Sequence, residues 1–97
     1  MNVDENHLPC ELKKTATRIK TMNFKGESYC YKLSPAFQGE EYVVISSVFA
    51  GGPETLMFSA NSKGEVKNWM EMESCGEFSH DSLLSRLGYE IKSQESI

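Results

Sequence analysis

The densest apolar pattern runs from Tyr42 to Phe49, where Val43, Ile45 and Phe49 fall on one side of an extended chain and Tyr42, Val44 and Val48 on the other. Apolar residues on both sides predict a central strand, covered by another layer on one face and partly buried on the other. The flanking patterns are thinner. Lys14 to Phe24 is rich in Thr, with Ala16, Arg18, Lys20 and Met22 opposite Thr17, Ile19, Thr21 and Asn23. Polar residues on both of its sides predict an edge or solvent-facing strand. Lys25-Gly26-Glu27 is a turn, and beyond it Tyr29, Tyr31 and Leu33 alternate with Cys30 and Lys32, so the two runs make a hairpin. Ser34 to Glu41, with Pro35 and Gly39, reads as a loop.

Ala50-Gly51-Gly52-Pro53 breaks the pattern before Thr55–Ala60, where Leu56, Phe58 and Ala60 alternate with Met57 and Ser59. Asn61-Ser62-Lys63-Gly64 is a hairpin turn with Gly64 placed to accept positive φ. After it Val66, Asn68, Met70 and Met72 alternate with Lys67, Trp69 and Glu71, which makes Met70 and Met72 core candidates and Trp69 a contact candidate. Tyr29, Tyr31, Phe49, Phe58 and Trp69 read as core or half-buried sheet residues, with a place in a contact patch as the rival reading for Trp69. Ser79 is an N-cap, Leu83, Leu84 and Leu87 recur at helical spacing, and Gly88 stands at C′. Asp81 and Arg86 suit the dipole of this helix, which is too short to stand without packing its leucines on the sheet. Tyr89 to Lys92 adds a brief strand. The elements together predict an α+β fold, an antiparallel sheet of about four to five strands with one short C-terminal helix packed on it. Residues 1–12, polar and carrying Pro9, read as a mobile arm, 13–92 as the single domain and 93–97 as a tail.

Composition narrows the function classes. With 39% hydrophobic and 25% charged residues the chain has a globular balance. No apolar run reaches membrane-spanning length, and Met1 to Leu12 lacks the basic and apolar regions of a secretory signal. Fourteen acidic against ten basic residues, a net charge of −4, argue against direct nucleic-acid binding. Cys10, Cys30 and Cys75 are an odd set without framework spacing, pointing to a reducing, cytoplasmic compartment. His7-x-x-Cys10 and Cys75-x-x-x-x-His80 form the two halves of an alternative reading as a small zinc protein. No phosphate loop follows a strand, and Cys75 or Cys10 with His80 lacks an orienting acid and an oxyanion loop, so the expectation is a non-enzyme without cofactor. One carboxylate cluster stands out, Glu71, Glu73, Glu77 and Asp81; such clusters are commonly solvated faces, but local potential of this kind also steers a basic partner.

The stretch Pro53-Glu54-Thr55-Leu56-Met57-Phe58-Ser59-Ala60-Asn61-Ser62-Lys63-Gly64-Glu65-Val66, continuing through Trp69, resembles a segment of small uncharacterised bacteriophage accessory (early-region) proteins, and Gly88-Tyr89-Glu90-Ile91 is similar to their ending. The likeness covers about half the chain, from Val43 onward; residues 1–40 carry none of it, and Glu73–Phe78 departs from the Gly-rich linker of that group. The resemblance implies a protein that binds a host enzyme and blocks it, a class that includes inhibitors of restriction and of CRISPR nucleases. On that reading the partner is a host protein, met by Glu71, Glu73, Glu77, Asp81 and Trp69. A homodimer or self-associating module joined through an exposed β-edge, for example Lys14–Phe24, is the second reading.

Overall fold

A computed structural model describes residues 14–23, 26–49 and 51–93. The elements are β1 (Lys14–Thr21), β2 (Glu27–Phe37), β3 (Glu40–Phe49), β4 (Pro53–Ala60), β5 (Val66–Cys75), α1 (His80–Arg86) and β6 (Tyr89–Ser93). The strands form one six-stranded sheet in the order β5-β4-β3-β2-β1-β6. The α+β class and the short C-terminal helix agree with the sequence pattern; the strand number and the purely antiparallel sheet do not. β6 pairs with β1 in parallel, from Lys14 opposite Tyr89 to Arg18 opposite Ser93. Hairpins join β1 through β5, whereas α1 carries the chain back across one face of the sheet to β6. The arm assigned to residues 1–12 lies outside the described residues, as do 94–97; Ser93, assigned to the tail, ends β6.

Three further expectations are corrected. β1 is not an edge, because β2 and β6 flank it and Ala16 is fully buried. Ser34 to Glu41 is not a loop: β2 continues to Phe37 through a cis Ser34–Pro35 bond, and Gln38-Gly39 turns the chain with positive φ at both positions. That is the geometry of a two-residue hairpin turn matched to strand twist. Pro35 is tolerated because the β2–β3 register is irregular between Lys32 and Phe37, where no ladder bond is required of it. Within β1 a bulge between Arg18 and Lys20 breaks the strict alternation, leaving Arg18 beside Tyr31 but setting Lys20 opposite Cys30.

The main core lies between α1 and the sheet. Ala16, Tyr31, Leu33, Val43, Ile45, Met57, Leu83, Leu84 and Tyr89 are buried together there. Burying Leu83 and Leu84 contributes roughly 3–6 kcal/mol, enough to hold a helix that would melt alone. Both ends of α1 are closed as the sequence suggests: the Ser79 hydroxyl accepts the Ser82 N–H at 3.0 Å, and Gly88 has φ 89°. The opposite face has a smaller cluster of Cys30, Val44 and Ala60 under Ile19, Met22, Tyr42 and Val66. The β4–β5 turn comes to this face beside Met22, and Lys20 Nζ donates to the Lys63 carbonyl there at 3.0 Å. β3 is accordingly covered on both sides, as its pattern predicts.

Candidate functional site

Three places among the described residues hold the side chains that the sequence singled out. The first is closed. His80, the first residue of α1, is buried with its ring 5.2 Å from that of Tyr29. Its Nε2 lies 2.9 Å from the Glu27 carbonyl, which can only accept, so that nitrogen carries the proton. Nδ1 then accepts from the Tyr31 hydroxyl at 2.9 Å, and that hydroxyl in turn accepts from Arg18 Nη2 at 3.1 Å. Arg18 also lies 3.9 Å over the Tyr29 ring. A directional chain thus runs from Arg18 through Tyr31 and His80 to the Glu27 backbone. Burial lowers the His80 pKa below the ordinary imidazole value and raises that of Tyr31, with Arg18 partly opposing the latter. Both shifts preserve the forms the chain needs.

With both ring nitrogens engaged, His80 has no lone pair to offer a metal or a thiol in this arrangement. Cys75 is buried on β5 with its Sγ 3.8 Å from the Glu77 carbonyl, and burial raises the Cys30 thiol pKa away from the thiolate range. Among the described residues no three His, Cys, Asp or Glu side chains gather as a metal-binding group. His7 and Cys10 lie outside the described residues.

The second place is the β5–α1 junction. Thr55, fully buried on β4, donates to the Glu77 carbonyl at 2.6 Å and accepts the Ser79 N–H at 3.0 Å, fixing the linker against the middle of the sheet. Glu77 and Asp81 thereby come to one open groove of about 480 Å³ with Cys75, Ser82, Ser85 and Arg86. Glu73 lies two positions before Cys75 on the same side of β5, opposite Met57, and is half-buried. Arg86 dilutes the negative character of the groove. The predicted carboxylate cluster is therefore divided: Glu77 and Asp81 share the groove, and Glu71 lies exposed farther along β5.

That part of β5 is the third place. The step from Met57 to Ser59 on β4 spans Asn68 to Glu73 on β5, so Trp69 to Met72 bulge from an edge strand. Trp69 is 63% exposed and Met70 73%. Trp69 is therefore not the core or half-buried residue that its type suggests, and its ring meets Phe58 edge-on at 5.2 Å. Met70 is not in the core, since the bulge breaks the alternation on which that assignment rested; Met72 packs partly against the core. The Met70 N–H is bound by Asn68 Oδ1 at 2.9 Å, which removes a donor that an added strand would need. The bulge presents side chains and blunts the edge.

Sequence reasoning missed the Arg18–Tyr31–His80 chain, whose members are distant in sequence. It also reads Phe49 as a core or half-buried residue, which it is not. Phe49 is 71% exposed at the end of β3 and stacks on Phe78 at 5.1 Å beside a shallow groove formed with Gly26, Ser47 and Val48. No helix among the described residues is long and apolar enough to cross a membrane. No protein-family model, curated protein or solved structure matches the chain.

Proposed function

We propose that the protein is a non-enzymatic binding protein that docks on a basic surface of a host protein and blocks it, acting in the cytoplasm of the host cell. The observation that carries this reading is the bulge of β5. It holds two large apolar side chains, Trp69 and Met70, mostly exposed beside the carboxylate of Glu71. Tryptophan and methionine are enriched at interfaces, and a Trp braced edge-on by Phe58 loses little freedom on docking. The neighbouring carboxylates favour a partner with positive potential, such as the channel of an enzyme that handles nucleic acid. The likeness of the second half to phage accessory proteins supports a target of the host-defence or nucleic-acid-processing class.

The test is a pull-down of tagged protein from bacterial lysate at low and moderate salt, followed by titration of the purified partner. The reading expects one stoichiometric enzyme, inhibited at a 1:1 ratio, released by salt and lost with Trp69→Ala. Truncation of a central aromatic anchor should weaken binding by about 2 kcal/mol or more, roughly thirtyfold. Reversal of Glu71, Glu73 and Glu77 to Lys should reduce both affinity and its salt dependence. A partner whose binding ignores Trp69→Ala and all three reversals would overturn the assignment of this surface.

A further inference from the structure

The sheet has two edges, and they differ. β5 is bulged, and the Met70 N–H is already bound by Asn68. β6 is regular, pairing with β1 from Tyr89 through Ser93 without a register shift, and no other described strand lies beyond it. Among the described residues its outer side therefore presents a row of backbone groups without a strand partner, the feature that templates strand addition. We infer that β6 pairs antiparallel with β6 of a second copy about a two-fold axis through Ile91, so that Glu90 of each copy faces Lys92 of the other.

The choice of partner and register follows from the side-chain pattern. A two-fold axis relating antiparallel edge strands is perpendicular to the sheet, so each residue faces one on the same side of the sheet. The axis must then pass through a residue and not between two. Tyr89 and Ile91 lie on the helix side, where Tyr89 is buried and Ile91 packs partly against the core. Glu90 and Lys92 are exposed on the other side. An axis through Glu90 would set Glu90 against itself, and one through Lys92 would set Lys92 against itself. Like charges directly opposite are destabilising across strands, whereas opposite charges stabilise. Only the axis through Ile91 converts both charges into reciprocal Glu90–Lys92 pairs, and it also brings two half-buried Ile91 side chains together. The strand thus carries a charge pattern complementary to itself.

The resulting sheet would run β5-β4-β3-β2-β1-β6 and then in reverse through the second copy. It would leave the two Trp69 bulges at its outer margins, free to act whether or not the chains associate. Pairing over five residues buries much less than a standard protein interface, so the dimer forms weakly and in a concentration-dependent way.

The experiment is sedimentation equilibrium of the full chain from micromolar to millimolar concentration, for wild type, Glu90→Lys, Lys92→Glu and the double reversal. Wild type should follow a monomer–dimer equilibrium. Each single reversal puts like charges opposite at both pairs and should weaken association about tenfold. The double reversal restores both pairs with exchanged signs and should return the dissociation constant to near that of wild type. Urea unfolding confirms that the exposed substitutions leave the monomer intact. A strictly monomeric wild type overturns the inference, as does a dimer that ignores the single reversals or is not rescued by the double one. Trp69→Ala should leave dimerisation unchanged, which keeps this outcome separate from the fate of the binding-protein reading.

Discussion

Replacing Thr55 with Val removes one hydroxyl and nothing else of size, yet three partners depend on it. The Thr55 proton goes to the Glu77 carbonyl at 2.6 Å. The Ser47 hydroxyl, 2.7 Å away, must therefore be the donor in its bond to Thr55, and the Ser79 N–H donates to Thr55 at 3.0 Å. In Thr55→Val the Ser47 hydroxyl is left with one bond fewer in a fully buried site, a loss of about 1–3 kcal/mol. The Glu77 and Ser79 groups are only partly buried, so water recovers much of their hydrogen bonding and each adds roughly 0.5 kcal/mol. The sum is about 2–4 kcal/mol, a large share of the roughly 5–15 kcal/mol that holds a typical domain. With an m value near 2 kcal/mol/M the urea midpoint should fall by about 1–2 M while m itself stays constant. Thr55→Ser keeps the hydroxyl and should cost only about 1 kcal/mol for the missing methyl. If Thr55→Val lies within 1 kcal/mol of wild type, or matches Thr55→Ser, the hydroxyl does not anchor the linker.

Burial depresses the folded-state pKa of His80 below its unfolded value. Stability from this group is therefore complete above the ordinary imidazole value and is lost as pH falls through the depressed folded value, because the unfolded chain takes up the proton first. Urea midpoints measured downward from pH 7 should decline more steeply for wild type than for His80→Gln; parallel profiles would remove His80 as the cause. Gly26 and Gly39 both have positive φ, but a Cβ on Gly26 would collide with the Ser47 carbonyl oxygen, whereas one on Gly39 meets open space. Gly26→Ala should cost about 3 kcal/mol or more and Gly39→Ala about 1 kcal/mol in urea unfolding, and equal costs would contradict the close approach.

The local elements could be read from the chain because each has a local cause. β3 announces itself through apolar residues on both faces, and α1 through Ser79, three leucines and Gly88. Partners in the sheet have no such signature. Nothing in the alternation of Tyr89 to Lys92 distinguishes a parallel neighbour from an antiparallel one, so β1 was expected at an edge that β6 in fact covers. Pro35 and Gly39 suggested a loop because their usual meaning is punctuation; here one lies within a register irregularity and the other in a two-residue turn. The candidate surface was half legible. Trp69 stands out by type, but the exposure of Met70 depends on a bulge that no periodicity can report. The Arg18–Tyr31–His80 chain joins residues far apart in sequence, so its assembly required the whole topology.

The parallel β1–β6 pair also orders events in time. Every other neighbouring pair of strands is a hairpin and can form by closing a short loop, but β1 meets β6 only after nearly the whole described chain has been laid down between them. Contacts of such sequence separation form late and slow the folding of a sheet. Until β6 docks, β1 has an unpaired side, the core lacks Tyr89, and the Tyr89 hydroxyl cannot reach the Pro35 carbonyl that it binds at 2.6 Å. A nascent chain caught at that stage presents a vacant strand position to any extended segment nearby, so the interval before β6 arrives is when this protein is most open to misassembly.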